Sequence, residues 1–137
     1  MIDFAFWEYL KTQTIYEVKY GSANNVATPY FVVYKLDDSE RPETLCQEQG
    51  DSGRALFIVE GFTGGQSMNS TPDYALQLVE TFRNNVNSFT KMDLTFNGVD
   101  YRIWYNRTTA SIPIDRGSNE VAFYGAQFSV LLYWEII

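Results

Sequence analysis

The chain has 137 residues, long enough to bury a core without disulfide staples, and its 17 Asp and Glu against 10 Lys and Arg leave a net charge of -7. That balance argues against a general electrostatic grip on nucleic acid or on an anionic membrane surface. With no histidine and a single cysteine, Cys46, the chain has no Ser-His or Cys-His pair, lacks the commonest metal ligand and has no internal disulfide framework.

Cys46 reads as a small incidental residue, and lone cysteine usage fits a reducing compartment. The first residues, Met1-Ile-Asp-Phe-Ala-Phe-Trp-Glu, have no basic n-region, so no signal peptide is expected. No apolar run approaches the ~20 residues of a membrane span, and a membrane is not among the expected partners. Asn69-Ser-Thr and Asn106-Arg-Thr match the glycosylation sequon, but without a secretory signal both read as chance.

Residues 2–13 are expected to form a short helix, with Ile2, Ala5, Phe6, Tyr9 and Leu10 on one side, Asp3 early and Lys11 late. Tyr16, Val18 and Tyr20 then alternate with Glu17 and Lys19, the pattern of a half-exposed strand. Gly21-Ser-Ala-Asn-Asn is a turn. From Tyr30 to Leu36, and again from Ala55 to Phe62, both strand faces are mostly apolar, so both strands are expected to be central. A helix is expected on one face of such strands and another layer on the reverse.

Between these strands, residues 37–53 form a polar excursion holding six of the 17 acids. A solvated loop and an interaction surface are equally open readings there. The strongest helix follows. Thr71 can cap its first amides, Pro72 fits the first helical position, and Asp73 suits the positive end of the dipole. Ala75, Leu78, Val79, Phe82 and Val86 then draw one apolar stripe that needs a sheet to cover.

Asn97-Gly98 between two alternating runs marks a two-residue type I′ hairpin. Pairing across it sets Phe96 against Val99, Leu94 against Tyr101 and Met92 against Ile103, all on one face. Residues 107–119 are expected to be a second long loop, in which Ile112-Pro-Ile114 is either a cap on the core or an exposed docking patch, the cap being favoured. Residues 121–137 carry one unbroken strand pattern with a wholly apolar even-numbered face, expected to bend near Gly125 or to project beyond its sheet. The sum is an α+β fold: a mixed, mostly antiparallel sheet with one long helix on a face and a short N-terminal helix, in one domain over 1–137.

Chemistry is scarce. Thr63-Gly-Gly-Gln66 has the placement of a phosphate loop but neither the Walker pattern nor a lysine, so a flexible connection is the better reading. Asp37, Asp38, Glu40 and Glu43 could gather a hard cation, but they lack the calcium-loop pattern and read as solvated acids. No catalytic constellation, metal set or cofactor motif stands out, so the expectation is a non-enzymatic protein that works by its surfaces.

Taken in order, these elements resemble the tail terminator (tail completion) proteins of long, non-contractile-tailed bacteriophages. The resemblance rests on Pro29-Tyr30 within Thr28-Pro-Tyr-Phe-Val-Val-Tyr-Lys, on the strand Ala55–Glu60 handing over to the helix Asp73–Val86, and on the closing Phe128-Ser-Val-Leu-Leu-Tyr-Trp134. It is one of architecture across nearly the whole chain. It implies a virion protein, made in the host cytoplasm, that closes as a homo-hexameric ring on the finished tail tube. Such a ring stops polymerisation, meets the head–tail connector and lets DNA pass through its lumen without specific binding. On that reading Asp37, Asp38, Glu40, Glu43, Glu48 and Asp51 line the lumen or face the tube. Arg107, Ile112, Pro113, Ile114, Arg116, Tyr133 and Trp134 are the candidates for contacts with neighbouring subunits or partners. A neck, head-completion or tube protein, or a small monomeric ligand-binding domain, are the alternatives.

Overall fold

The computed structural model describes residues 2–22, 27–40, 52–64, 70–86, 91–117 and 122–137, with the backbone alone at 37–40, 105–106, 115–117 and 122–123. Two helices, α1 (Ile2–Lys11) and α2 (Pro72–Val86), accompany seven strands: β1 (Glu17–Tyr20), β2 (Tyr30–Glu40), β3 (Ser52–Gly64), β4 (Met92–Phe96), β5 (Val99–Thr108), β6 (Ile112–Gly117) and β7 (Ala122–Ile136). They form one sheet in the order β1-β2-β3-β7-β5-β4, with β6 also on β7. All pairs are antiparallel except β1–β2. The class is α+β.

The local signals place their elements well. Thr71 Oγ1 accepts the Tyr74 amide at 3.1 Å and the Thr71 carbonyl accepts the Ala75 amide, so Thr71 is the cap of α2 and Pro72 opens it. The 97–98 turn has φ 51° at Asn97 and 77° at Gly98, and the pairs across it are Phe96–Val99, Leu94–Tyr101 and Met92–Ile103. Positive φ at both positions is what lets the turn follow the strand twist.

Both helices cover the same sheet face. Phe6 of α1 meets Phe57 of β3 with ring centroids 4.9 Å apart, and Phe82 of α2 lies 4.3 Å from Phe31 and 6.2 Å from Phe128. Val33, Val59, Val130 and Leu132 complete that fully buried layer. Asp3 is buried where α1 docks; its carboxylate accepts the Tyr20 hydroxyl at 3.0 Å and lies 4.0 Å from Lys35 Nζ. Trp7 Nε1 donates to the Val18 carbonyl at 2.9 Å, tying the same helix to β1. Close approach of α2 needs Gly61, where an added Cβ would stand 2.6 Å from Val79 Cγ2 and 2.7 Å from the Phe31 ring.

Two expectations are corrected. Residues 37–40 are not loop: Asp37, Asp38, Ser39 and Glu40 pair with Leu56, Ala55, Arg54 and Gly53 after a bulge at exposed Leu36. The ladder offered by the start of β3 outweighs the low strand preference of acids. Residues 107–119 are not one loop, since β5 runs to Thr108 and β6 begins at Ile112. Pro113 is tolerated because β6 pairs with β7 alone among the described strands, as an edge strand can. Strands β2 and β3 are both interior, as expected, with β1 beside β2 along Tyr30–Val33.

Candidate interaction surface

The organising strand is β7. One edge pairs with β3 from Tyr124 to Glu135, and the other is shared end to end, with β6 along 122–127 and β5 along 130–136. At the junction the Ser129 carbonyl accepts the Thr109 amide, and the Ser129 amide donates to Thr109 Oγ1, both at 3.0 Å. Helix α2 fixes the same junction from the covered side. Arg83 Nε donates to the Thr109 carbonyl at 2.6 Å, the Ser111 amide donates to Glu80 Oε1 at 3.0 Å, and Arg83 and Glu80 pair at 3.1 Å. Hydrogen bonding from Ser111 lowers the Glu80 pKa, helped by the Arg83 charge.

Register and strand alternation define the reverse face. Tyr34 stands opposite Ile58, and Ile58 opposite Ser129; Leu56 stands opposite Leu131, and Leu131 opposite Arg107. Arg54 is opposite Tyr133, and Gln127 is opposite Ile112. Tyr34, Leu56, Ile58, Leu131 and Tyr133 are half-buried, while Arg54, Arg107 and Ile112 are exposed. Neither described helix lies over these residues. Toward the β1 side, Tyr30 packs on Phe62 with centroids 5.4 Å apart beside buried Glu60. Burial, with the Glu60 charge, raises the Tyr30 pKa.

The surface therefore gathers Arg107, Ile112 and Tyr133 from three consecutive strands. Pro113 and Ile114 border a cleft of ≈ 250 Å³ with Pro72, Tyr124 and Gly125, at the start of α2. Ile112 is 53 % exposed, which favours the docking-patch reading of Ile112-Pro-Ile114 over the cap. Trp134 leaves the set: it is buried on the helix side, edge-on to Tyr101 at 5.9 Å, and a side chain spent on the core makes no contact outside it. Arg116 lies on β6, opposite Phe123. Asp37, Asp38 and Glu40 sit at the far end of β2, whereas Glu43, Glu48 and Asp51 lie outside the described residues.

Sequence reasoning passed over Arg54, Leu56, Ile58 and Leu131 as interaction residues. The signal was present in the doubly apolar pattern of 30–36 and 55–62, which demands a second cover that the two described helices do not provide.

Among the described residues no three His, Cys, Asp or Glu side chains gather to hold a metal, and no helix is long and apolar enough to cross a membrane. A second cleft of ≈ 250 Å³ lies between Ile15, Phe31 and Phe82.

No family model matches the chain, and no curated protein does. Among solved structures 26 chains match. One, whose name carries no functional description, is 13 % identical with a TM-score of 0.49, covering 99 % of this chain and 93 % of its own. A likeness at that level carries nothing about function.

Proposed function

We propose that this protein is a phage tail terminator, a structural subunit that closes as a ring on the finished tail tube, ends its polymerisation and presents a surface to the head–tail connector. The observation that carries this reading is the one-sided sheet. Both helices seal one face, while the reverse presents Tyr34, Leu56, Ile58, Leu131 and Tyr133 with no described element over them. An apolar sheet face of that kind is an interaction surface by default. Ring closure requires a heterologous contact, one patch meeting a different patch on the next copy, and a chain with chemically distinct layers suits it.

The acidic balance fits a conduit for DNA. A bore lined by carboxylates repels phosphate and keeps the genome from sticking. Asp37, Asp38 and Glu40, with Glu43, Glu48 and Asp51, are the acids assigned to the lumen or the tube-facing rim. The two clefts described above, at ≈ 250 Å³ each, fall below the ~300–1,000 Å³ usual for small-molecule sites and lend the ligand-binding alternative no support. Native mass spectrometry with negative-stain imaging tests the reading, alone and after adding purified tail tubes. Closed rings that cap tubes and arrest their growth are expected. Open tubes of this protein would reassign it as a tube subunit, and a monomer indifferent to tail tubes would overturn the proposal.

A further inference from the structure

Most of the described cations of this acidic chain are occupied. Lys11 pairs with Glu8, Lys19 with Glu17, Lys35 with Asp3, Arg83 with Glu80 and Arg102 with Asp93. Lys91 lies 4.8 Å above the Trp104 ring. Among the described basic side chains that leaves Arg54 and Arg107, both exposed and neither engaged by an acid or a ring. Register puts both on the open face. Arg54 is opposite Tyr133 on one side of β7, and Arg107 is opposite Leu131 on the other. Two strand spacings and two residues separate them, about 12 Å between backbones. Leu56, Leu131 and Tyr133 fill the ground between.

We infer that this face is the contact between copies of the chain, with Arg54 and Arg107 receiving carboxylates of the next copy around an apolar centre. The inference rests on, and deepens, the ring reading. Charge complementarity names the occupant. With 17 acids to 10 bases each copy carries seven carboxylates beyond its own cations, so a neighbouring copy supplies the charge these guanidiniums lack. Planar, bidentate guanidinium–carboxylate pairs fix register as well as charge. Nucleic acid is the poorer occupant: two arginines neutralise two phosphates, while the remaining charge of the chain repels the rest. A carboxylate drawn from a different patch of the next copy makes the contact heterologous, the kind that closes a ring.

The test combines Arg54→Glu/Arg107→Glu with a photo-crosslinking amino acid at position 133. Both arginines are exposed and have no partner among the described residues, so the variant should melt within a degree or two of the wild type and fold identically by circular dichroism. Expected are at least a tenfold weaker self-association of the variant by sedimentation and native mass spectrometry, a salt-sensitive wild-type assembly, and covalent dimers from position 133. A double variant that assembles like the wild type, or rings that form while position 133 captures nothing, would overturn this contact and leave the terminator reading standing. Position-133 dimers from a protein that never caps tubes would support the contact and sink the terminator reading. Crosslinks that capture only a different protein, or a labelled single-stranded DNA retained by the wild type and lost by the variant, would remove the second copy as occupant.

Discussion

Gly61→Ala tests how closely α2 is seated on the sheet. Gly61 has ordinary backbone geometry, so the issue is space alone. A methyl there would sit 2.6 Å from Val79 Cγ2 and 2.7 and 2.9 Å from two atoms of the Phe31 ring. Val79 and Phe31 are themselves fully buried, so neither has an easy retreat. Overpacking of this kind costs about 1–3 kcal/mol. Against it stands a gain of about 0.4–1 kcal/mol from the stiffer unfolded chain, so the net loss should be about 0.5–2.5 kcal/mol. At about 2.1 cal/mol/K per residue, the midpoint of a 137-residue chain moves about 3–4 °C per kcal/mol, which gives a fall of about 2–8 °C. Thermal and urea unfolding followed by circular dichroism reads it. Adding Val79→Ala should recover part of the loss, with a coupling of about 0.5 kcal/mol or more. A Gly61→Ala protein as stable as the wild type, or more stable, would show that the helix can lift and that the close seating is not required.

Thr71→Ala removes the cap that receives the Tyr74 amide and should cost about 1 kcal/mol by urea unfolding, with the fold unchanged. In the 97–98 turn, Gly98→Ala places a side chain at φ 77° and should cost about 1–2 kcal/mol, whereas Asn97→Gly should be close to neutral, both read from the urea midpoint. Glu80 carries a pH signature. Its pKa is lowered in the folded state, so its contribution is complete above the ordinary glutamate range and is lost as pH falls through the folded value. Carboxyl NMR should find Glu80 titrating below a reference glutamate, and Glu80→Gln should flatten the acid limb of stability against pH.

How far the sequence reaches depends on how local the causes are. The Asn97-Gly98 hairpin is legible to the residue because turn chemistry and alternation lie within a dozen positions of each other. The start of α2 follows from Thr71 and Pro72 in the same way. Residues 37–40 mislead because acids are poor strand formers taken alone, and what makes them strand is a ladder supplied by residues 53–56. Strand β6 hides behind Pro113, whose missing amide signals a loop until the edge position is known. The parallel pairing of β1 with β2 leaves no local trace at all. For the surface, alternation in 121–137 already put Trp134 on the apolar face with Phe128 and Leu132, which is why it is core and Tyr133 is not. That Arg54 and Arg107 share a face depends on two separate registers through β7, and no window of sequence contains both.

The relay of β6 and β5 along one edge of β7 has a consequence for how the chain assembles. Strands β5 and β6 pair with β7 as one long, twice-kinked antiparallel unit, and β2 with β3 makes another. Each closes over separations of a few residues to a few tens. The join between them is different: Val59 meets Phe128 about 70 positions away, and every β3–β7 pair spans a comparable stretch of chain. Folding is therefore expected to be two fast local zips followed by one slow suture, with β3–β7 docking as the limiting step. Until that suture closes, Phe57, Val59, Phe128 and Val130 stand open along two raw strand edges. The interval before docking is when this protein is most exposed to pairing with the wrong copy of itself.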